Sequence, residues 1–165
     1  MQLIDALVSE FDREIARTRA LLDAIPATVD WSWKPHDKSM TLGRLAGHTA
    51  ELSGPWAITV LTEDRHSLDP ARKPYVVSDK AQMLAAFDAS IVTTRKALAA
   101  LAGYRWEEHW QLVAGDQVWL DLSRYEAYRD CVMNHLIHHR SQLGVYLRLL
   151  DLPIPGTYGP SADVK

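Results

Sequence analysis

Hydrophobic residues recur every three or four positions in four stretches of the chain, which is the spacing of amphipathic helices. The four stretches cover approximately residues 3–25, 41–62, 78–103 and 123–150. Charged and polar side chains occupy the remaining helix faces. The pattern predicts an all-α four-helix bundle, in a single domain that spans residues 1–165.

Local signals mark the ends of these helices. Ser39 and Ser78 stand where side-chain caps of the second and third helices are expected. The fourth helix opens with Ser123 and Glu126, the spacing of a capping box in which each side chain accepts a hydrogen bond from a backbone amide. Pro55 falls inside the second helix. Because proline lacks an amide hydrogen and clashes with the preceding turn, we expect a kink or break there.

The segments between the helices carry signals of their own. Residues 63–77 contain two prolines and many charged side chains, which predicts a long connection between the second and third helices. Hydrophobic alternation over residues 110–120, with a turn at 115–116, predicts a short β-hairpin before the fourth helix. The loop after the first helix contains Trp31 and Trp33, so we expect this loop to lie against the core.

The composition is ordinary for a globular protein, with 47% hydrophobic and 24% charged residues and a net charge of −3. No block of lysines or arginines indicates binding to nucleic acid. No apolar run approaches the roughly 18 residues of a membrane span, and the N-terminus does not resemble a signal peptide. The one cysteine, Cys131, cannot form an internal disulfide. We therefore expect a cytoplasmic protein that binds neither nucleic acid nor membranes.

Three of the seven histidines fall on predicted inward faces. His135 and His139 are four positions apart on the fourth helix, so they share a face with Val132 and Tyr146. His48 lies on the inward face of the second helix. Buried histidines without a ligand would each need a hydrogen-bond partner. The arrangement predicts a three-histidine metal site that leaves coordination positions for water or substrate.

Neighbouring residues leave alternatives open. His138 is three positions from His135 and could replace His139, although it points about 100° away around the helix, towards another element or an acid. Glu51 could orient an imidazole or act as a catalytic base, and it could equally be a solvated charge. Cys131 could be a fourth ligand or a thiol nucleophile, but a small buried core residue is the favoured interpretation.

Other polar residues carry weaker signals. Arg140 and Arg148 could receive an anionic substrate, or they could be surface charges. The histidines in or near loops, His36, His66 and His109, have no predicted role.

Three blocks of the sequence, in order, resemble the DinB family of metal-binding four-helix bundles. The blocks are residues 40–48 (MTLGRLAGH), 135–148 (HLIHHRSQLGVYLR) and 153–163 (PIPGTYGPSAD). The resemblance covers nearly the whole chain, with Ser141 where the family usually has glycine. It implies that the three inward histidines hold a divalent metal, that the helix order is unusual and that the chain forms a homodimer.

Relatives of known activity include low-molecular-weight thiol transferases and a mycothiol-dependent maleylpyruvate isomerase, so the resemblance implies a metal-dependent enzyme with a small-molecule substrate. We expect the metal to act as a Lewis acid that lowers the pKa of a bound thiol or water. Thiol transfer to an electrophile is the favoured reaction, and hydrolysis is close behind. The alternative is a non-catalytic metal-binding protein of the stress response. Zinc, nickel and iron all suit three imidazoles, and affinity alone does not choose among them.

Overall fold

The computed structural model of the chain describes residues 2–163. The α-helices are α1 (Leu3–Ala24), α2 (Leu42–Leu52), α3 (Pro55–Thr62), α4 (Lys80–Ala100), α5 (Arg124–Ala127) and α6 (His135–Leu149), and a short 3-10 helix spans Gly103–Glu107. The strands are β1 (Arg65–Ser67), β2 (His109–Ala114) and β3 (Gln117–Ser123). A π-helical segment, Tyr128–Asn134, joins α5 to α6. The structure confirms the predicted helical bundle with its hairpin, and it adds one strand, β1, to that hairpin.

Packing among the helices places α1 and α2 at opposite corners of the bundle. The first helix packs against α4 and α6, and α2 packs against the same two helices. The centre is filled by apolar side chains that are fully shielded from water, each contributing about 1.5–3 kcal/mol on burial. Among them are Phe11, Leu22, Leu45, Met83, Phe87 and Leu143. The contact between α2 and α6 matters most here, because these two helices carry the three inward histidines.

Proline divides the predicted second helix in two. Pro55 occupies the first position of α3, where its missing amide hydrogen costs nothing, so the expected kink or break is a complete break.

Two of the predicted helix caps are wrong. Thr41, not Ser39, accepts the amide hydrogen bond that caps α2. Asp79, not Ser78, does so for α4, because it stands at the residue whose backbone is still extended.

The region before the last helix agrees more closely with the sequence. Ser123 and Glu126 form the predicted capping box. The predicted hairpin is present as β2 and β3, with Gly115 in the turn at a φ of 56°. A further strand, β1, lies in the segment 63–77, for which the sequence predicted a long connection, and it pairs in parallel with β2. Its three residues, Arg-His-Ser, have no hydrophobic alternation that could have revealed it.

Aromatic residues also cover part of the bundle surface. Trp31 and Trp33 pack against the core, as expected for their loop. The Trp33 ring meets the Tyr146 ring edge to face, with centroids 5.6 Å apart.

Within residues 2–163, no helix is long and apolar enough to cross a membrane.

Two glycines on α2, Gly43 and Gly47, let residues 75–77 of the connection between β1 and α4 pack directly against this helix. A Cβ atom on Gly43 would lie 2.4 Å from the carbonyl oxygen of Val77, and one on Gly47 would lie 2.6 Å from that of Tyr75. The Val77 amide donates a hydrogen bond to the Gly43 carbonyl. Residues 75–77 are therefore fixed against the helix that carries His48.

We expect Gly47→Ala to lower the free energy of unfolding by about 1–3 kcal/mol, because the added methyl group must displace backbone. Gly144 of α6 is the matched control, since a Cβ there would meet nothing within 4 Å. Gly144→Ala should raise the free energy of unfolding by about 0.5–1 kcal/mol, because alanine restricts the unfolded chain. Urea denaturation measures both values. Changes of the same sign would contradict the close packing at Gly47.

Candidate metal centre

The packing of α2 against α6 brings His48, His135 and His139 together. The Nε2 atom of His135 lies 3.3 Å from that of His48 and 2.9 Å from that of His139. One nitrogen from each side chain can be chosen so that all three lie within 4.8 Å of one another. Three imidazole nitrogens that converge on one point can share a single divalent ion.

Hydrogen bonds on the outer side orient two of these rings. The Nδ1 atom of His139 lies 2.7 Å from the side-chain oxygen of Gln142, one turn further along α6. Because an amide oxygen only accepts, Nδ1 carries the proton and Nε2 keeps its lone pair for a metal. His135 hydrogen-bonds to the backbone of Cys131 in the preceding turn. Gln142 was not identified from the sequence, although its spacing from His139 was a usable signal.

The surroundings keep the imidazoles neutral. Burial, followed by the positive charge of Arg44 and the two neighbouring histidines, lowers the pKa of His48 to about 3. Burial also lowers the pKa of His135 and of His139. Neutral imidazole is the form that binds metal. The donor set, its orientation and its protonation state therefore all fit a divalent transition metal.

A cavity of about 240 Å³ opens beside the cluster. Its walls come from α2, α3, α6 and the connection that follows β1. They combine apolar side chains with two arginines and two acids. The lining residues are Arg44, His48, Glu51, Leu52, Trp56, Leu68, Asp69, Arg72, Pro74 and His135. A small molecule in this cavity would lie against His48 and His135.

Comparison with protein-family models gives a match to the DinB family over residues 1–164. The chain belongs to the DinB family. A similar solved structure is that of a DinB-like protein from Bacillus cereus ATCC 10987, at 17% identity and a TM-score of 0.71. That match covers 93% of this chain and 97% of the other, and at this identity it shows a common fold. A search of curated proteins gives no match.

Two other candidates lie close to the histidine cluster of this DinB-family chain. The Glu51 carboxylate lies 2.9 Å from Arg72 and 3.6 Å from Arg44, so it contacts guanidinium groups and not an imidazole. Its role as a base stays a prediction. Cys131 is half-buried against the core, and burial raises the pKa of its thiol to about 11. The thiol is therefore protonated at neutral pH, which supports the interpretation of Cys131 as a core residue.

The remaining histidines lie outside the cluster. His138 is exposed, and its ring packs edge-on against the His139 ring rather than against an acid. His66 pairs with the Glu63 carboxylate, and His109 pairs with that of Asp121. His36 accepts a hydrogen bond from the backbone within its own loop.

The two arginines suggested by the sequence as anion receptors are engaged elsewhere. Arg140 is buried and forms an ion pair with Glu14 at 2.7 Å, which ties α6 to α1. Arg148 pairs with Asp163 in the tail. The arginines that do line the histidine cavity are Arg44 and Arg72. Arg44 could have been found, since it lies one turn before His48, whereas nothing in the sequence marks Arg72.

The hydrogen bond from His139 to Gln142 leads to a testable prediction. Replacing Gln142 with leucine should weaken metal binding about 10–100-fold, as loss of such orienting partners does in other metal sites. Ser141→Ala, on the adjacent exposed position, should leave the affinity unchanged. Competition with a chelator of known affinity measures both variants. Unchanged affinity in Gln142→Leu would show that the His139 ring is held by packing alone.

Proposed function

We propose that this DinB-family protein is a metal-dependent enzyme that transfers a low-molecular-weight thiol to an electrophile. The observation that supports this most directly is the convergence of one nitrogen from each of His48, His135 and His139 beside a cavity of about 240 Å³, which His48 and His135 line. Structural zinc sites use four protein ligands, whereas catalytic sites commonly use three and keep a position open. In the described part of the chain, this cluster has three members.

His48, His135 and His139 would hold the ion, which could be zinc, nickel or iron. When bound, such an ion supplies a Lewis acid that lowers the pKa of a thiol or a water molecule. Because the three imidazoles are neutral, the protein itself would leave the charge of the ion uncompensated.

The other walls of the cavity favour thiol transfer over hydrolysis. Leu52, Trp56 and Leu68 present apolar surface beside the histidines, which would contact the carbon atoms of a small thiol and an electrophile. The protonated Cys131 thiol does not serve as a nucleophile, so the attacking sulfur would come from a substrate. Metal-assisted hydrolysis is the second candidate, because Glu51 also lines the cavity and could accept a proton from water.

The rival is a metal-binding protein without catalysis. To separate the two, the protein is purified without a histidine tag and its metal content is measured. Metal-free and reloaded samples are then incubated with a panel of small thiols and electrophiles. We expect one ion per chain and thiol consumption only in the loaded sample. Stoichiometric metal without turnover across the panel would favour the rival, and absence of metal binding would refute both.

A homodimer and the absence of nucleic-acid binding stay predictions from the sequence.

A further inference from the structure

Two arginines face the cavity beside the histidines. Arg44 lies one turn before His48 on α2, and Arg72 comes from the connection between β1 and α4. Both line the cavity with His48 and His135. The charges of both also lower the pKa of His48, which places both guanidinium groups within electrostatic reach of the cluster.

Arg44 has unused hydrogen-bonding capacity. Its side chain is 23% exposed, and within residues 2–163 it donates one hydrogen bond, a long one of 3.4 Å to the carbonyl of Tyr75. The Glu51 carboxylate forms an ion pair with it at 3.6 Å, which is too long for a direct hydrogen bond. A guanidinium group has five N–H donors, and those of Arg44 that line the cavity are accessible to water or to a ligand. An acceptor brought by a ligand would satisfy them.

Neither acid in the cavity, Glu51 or Asp69, accepts a hydrogen bond from Arg44. Glu51 lies between the two arginines and accepts a hydrogen bond from Arg72 at 2.9 Å. Asp69 is exposed, and its carboxylate accepts a hydrogen bond from the Ala71 amide of its own loop. The two acids offset the two arginines, and the three histidines are neutral. A divalent ion would therefore give the cavity a positive charge, which an anionic ligand would compensate.

We propose that Arg44 and Arg72 form a carboxylate-binding subsite, and that the small molecule that reacts at the histidine cluster carries a carboxylate group. This inference rests on the proposed function, since it names a chemical class of substrate for the same site. Arg44 has the planar donor geometry that binds a carboxylate through two parallel hydrogen bonds. Binding there fixes one end of the substrate and leaves its other end beside His48 and His135.

The test uses protein loaded with cobalt(II) and two thiols of equal chain length, 3-mercaptopropionate and 3-mercaptopropanol. Thiolate binding is followed by the sulfur-to-cobalt charge-transfer absorption. We expect the carboxylate-bearing thiol to bind about tenfold more tightly, the gain of a charge-assisted hydrogen bond. Arg44→Gln and, separately, Arg72→Gln should reduce this preference, taken as the ratio of the two affinities, in which any effect of the lost charge on the thiolate common to both compounds cancels. Glu51→Gln should increase it, because a competing carboxylate is removed.

Arg148→Gln is the matched control, since Arg148 pairs with Asp163 away from the cavity, and far-UV circular dichroism checks the fold of every variant. Equal affinity of the wild-type protein for both thiols would overturn the subsite and leave the proposed function standing. A preference that survives in both arginine variants would also overturn it, because the carboxylate would then be chelating the metal. Absence of thiolate absorption with either compound would overturn the proposed function and the subsite together.

Discussion

Replacing any one of His48, His135 and His139 with alanine should abolish stoichiometric metal binding while the helices persist. Each substitution removes one of three converging nitrogens, so the loss should exceed the about 10–100-fold that removal of an orienting partner costs. The bundle should survive, because its core of leucine, methionine and phenylalanine side chains is packed independently of the cluster. Metal content and far-UV circular dichroism measure the two effects separately.

His138→Ala is the matched control for this set. His138 is exposed and touches the edge of the His139 ring without joining the cluster, so its loss should leave the metal in place. Full metal occupancy in His135→Ala or His139→Ala would refute the three-histidine site. Loss of metal in His138→Ala together with retention in His139→Ala would mean that the wrong member of the adjacent pair had been chosen.

The largest effect on stability is expected at Arg124. Its side chain is fully buried, and its guanidinium donates to the backbone carbonyls of Val60 and Glu63 and to the Asp64 carboxylate. These carbonyls belong to the end of α3, where a positive charge is also favoured by the helix dipole. Arg124→Ala should lower the free energy of unfolding by about 2–4 kcal/mol, because it leaves buried carbonyl groups unpaired. Chemical denaturation gives the value.

Arg105 offers a comparison that isolates burial. It donates to the same Asp64 carboxylate at 2.7 Å and to the Glu108 carboxylate at 2.8 Å, but its side chain is 27% exposed. Arg105→Ala should cost less than about 1 kcal/mol, as expected for an ion pair near the surface. A similar loss in the two variants would show that the Asp64 ion pair, and not the contact with the end of α3, is the important interaction.

The main parts of the site were predictable because they depend on helix periodicity. The four-residue spacing of His135 and His139 puts both on one face, and the same period puts His48 on the inward face of α2. Apolar side chains at matching positions indicated that these faces are buried. Whether the two helices are neighbours does not follow from periodicity, and that part of the prediction depended on the cost of burying histidines without a ligand and on the family resemblance.

The parts that were missed depend on contacts between distant segments. Arg72 reaches the cavity because the glycines of α2 let the following connection lie against this helix, and that close approach leaves no periodic pattern. The π-helical segment before His135 has the same residue pattern as an ordinary helix. The carbonyl of Cys131 in that segment accepts a hydrogen bond at 2.7 Å from Trp56 on α3, a tertiary contact that spacing cannot show.

The cavity wall formed by Leu68, Arg72 and Pro74 has a consequence for how this protein can diversify. These residues belong to a connection that contributes no member to the histidine cluster. Substitutions there would alter which molecules fit and how they are oriented, while the histidines and the helices stay as they are. Under the proposed function, the connection would share substrate selection with Arg44 of α2, while the histidines stay on the bundle, so changes in the connection would shift the choice of substrate without moving the histidines.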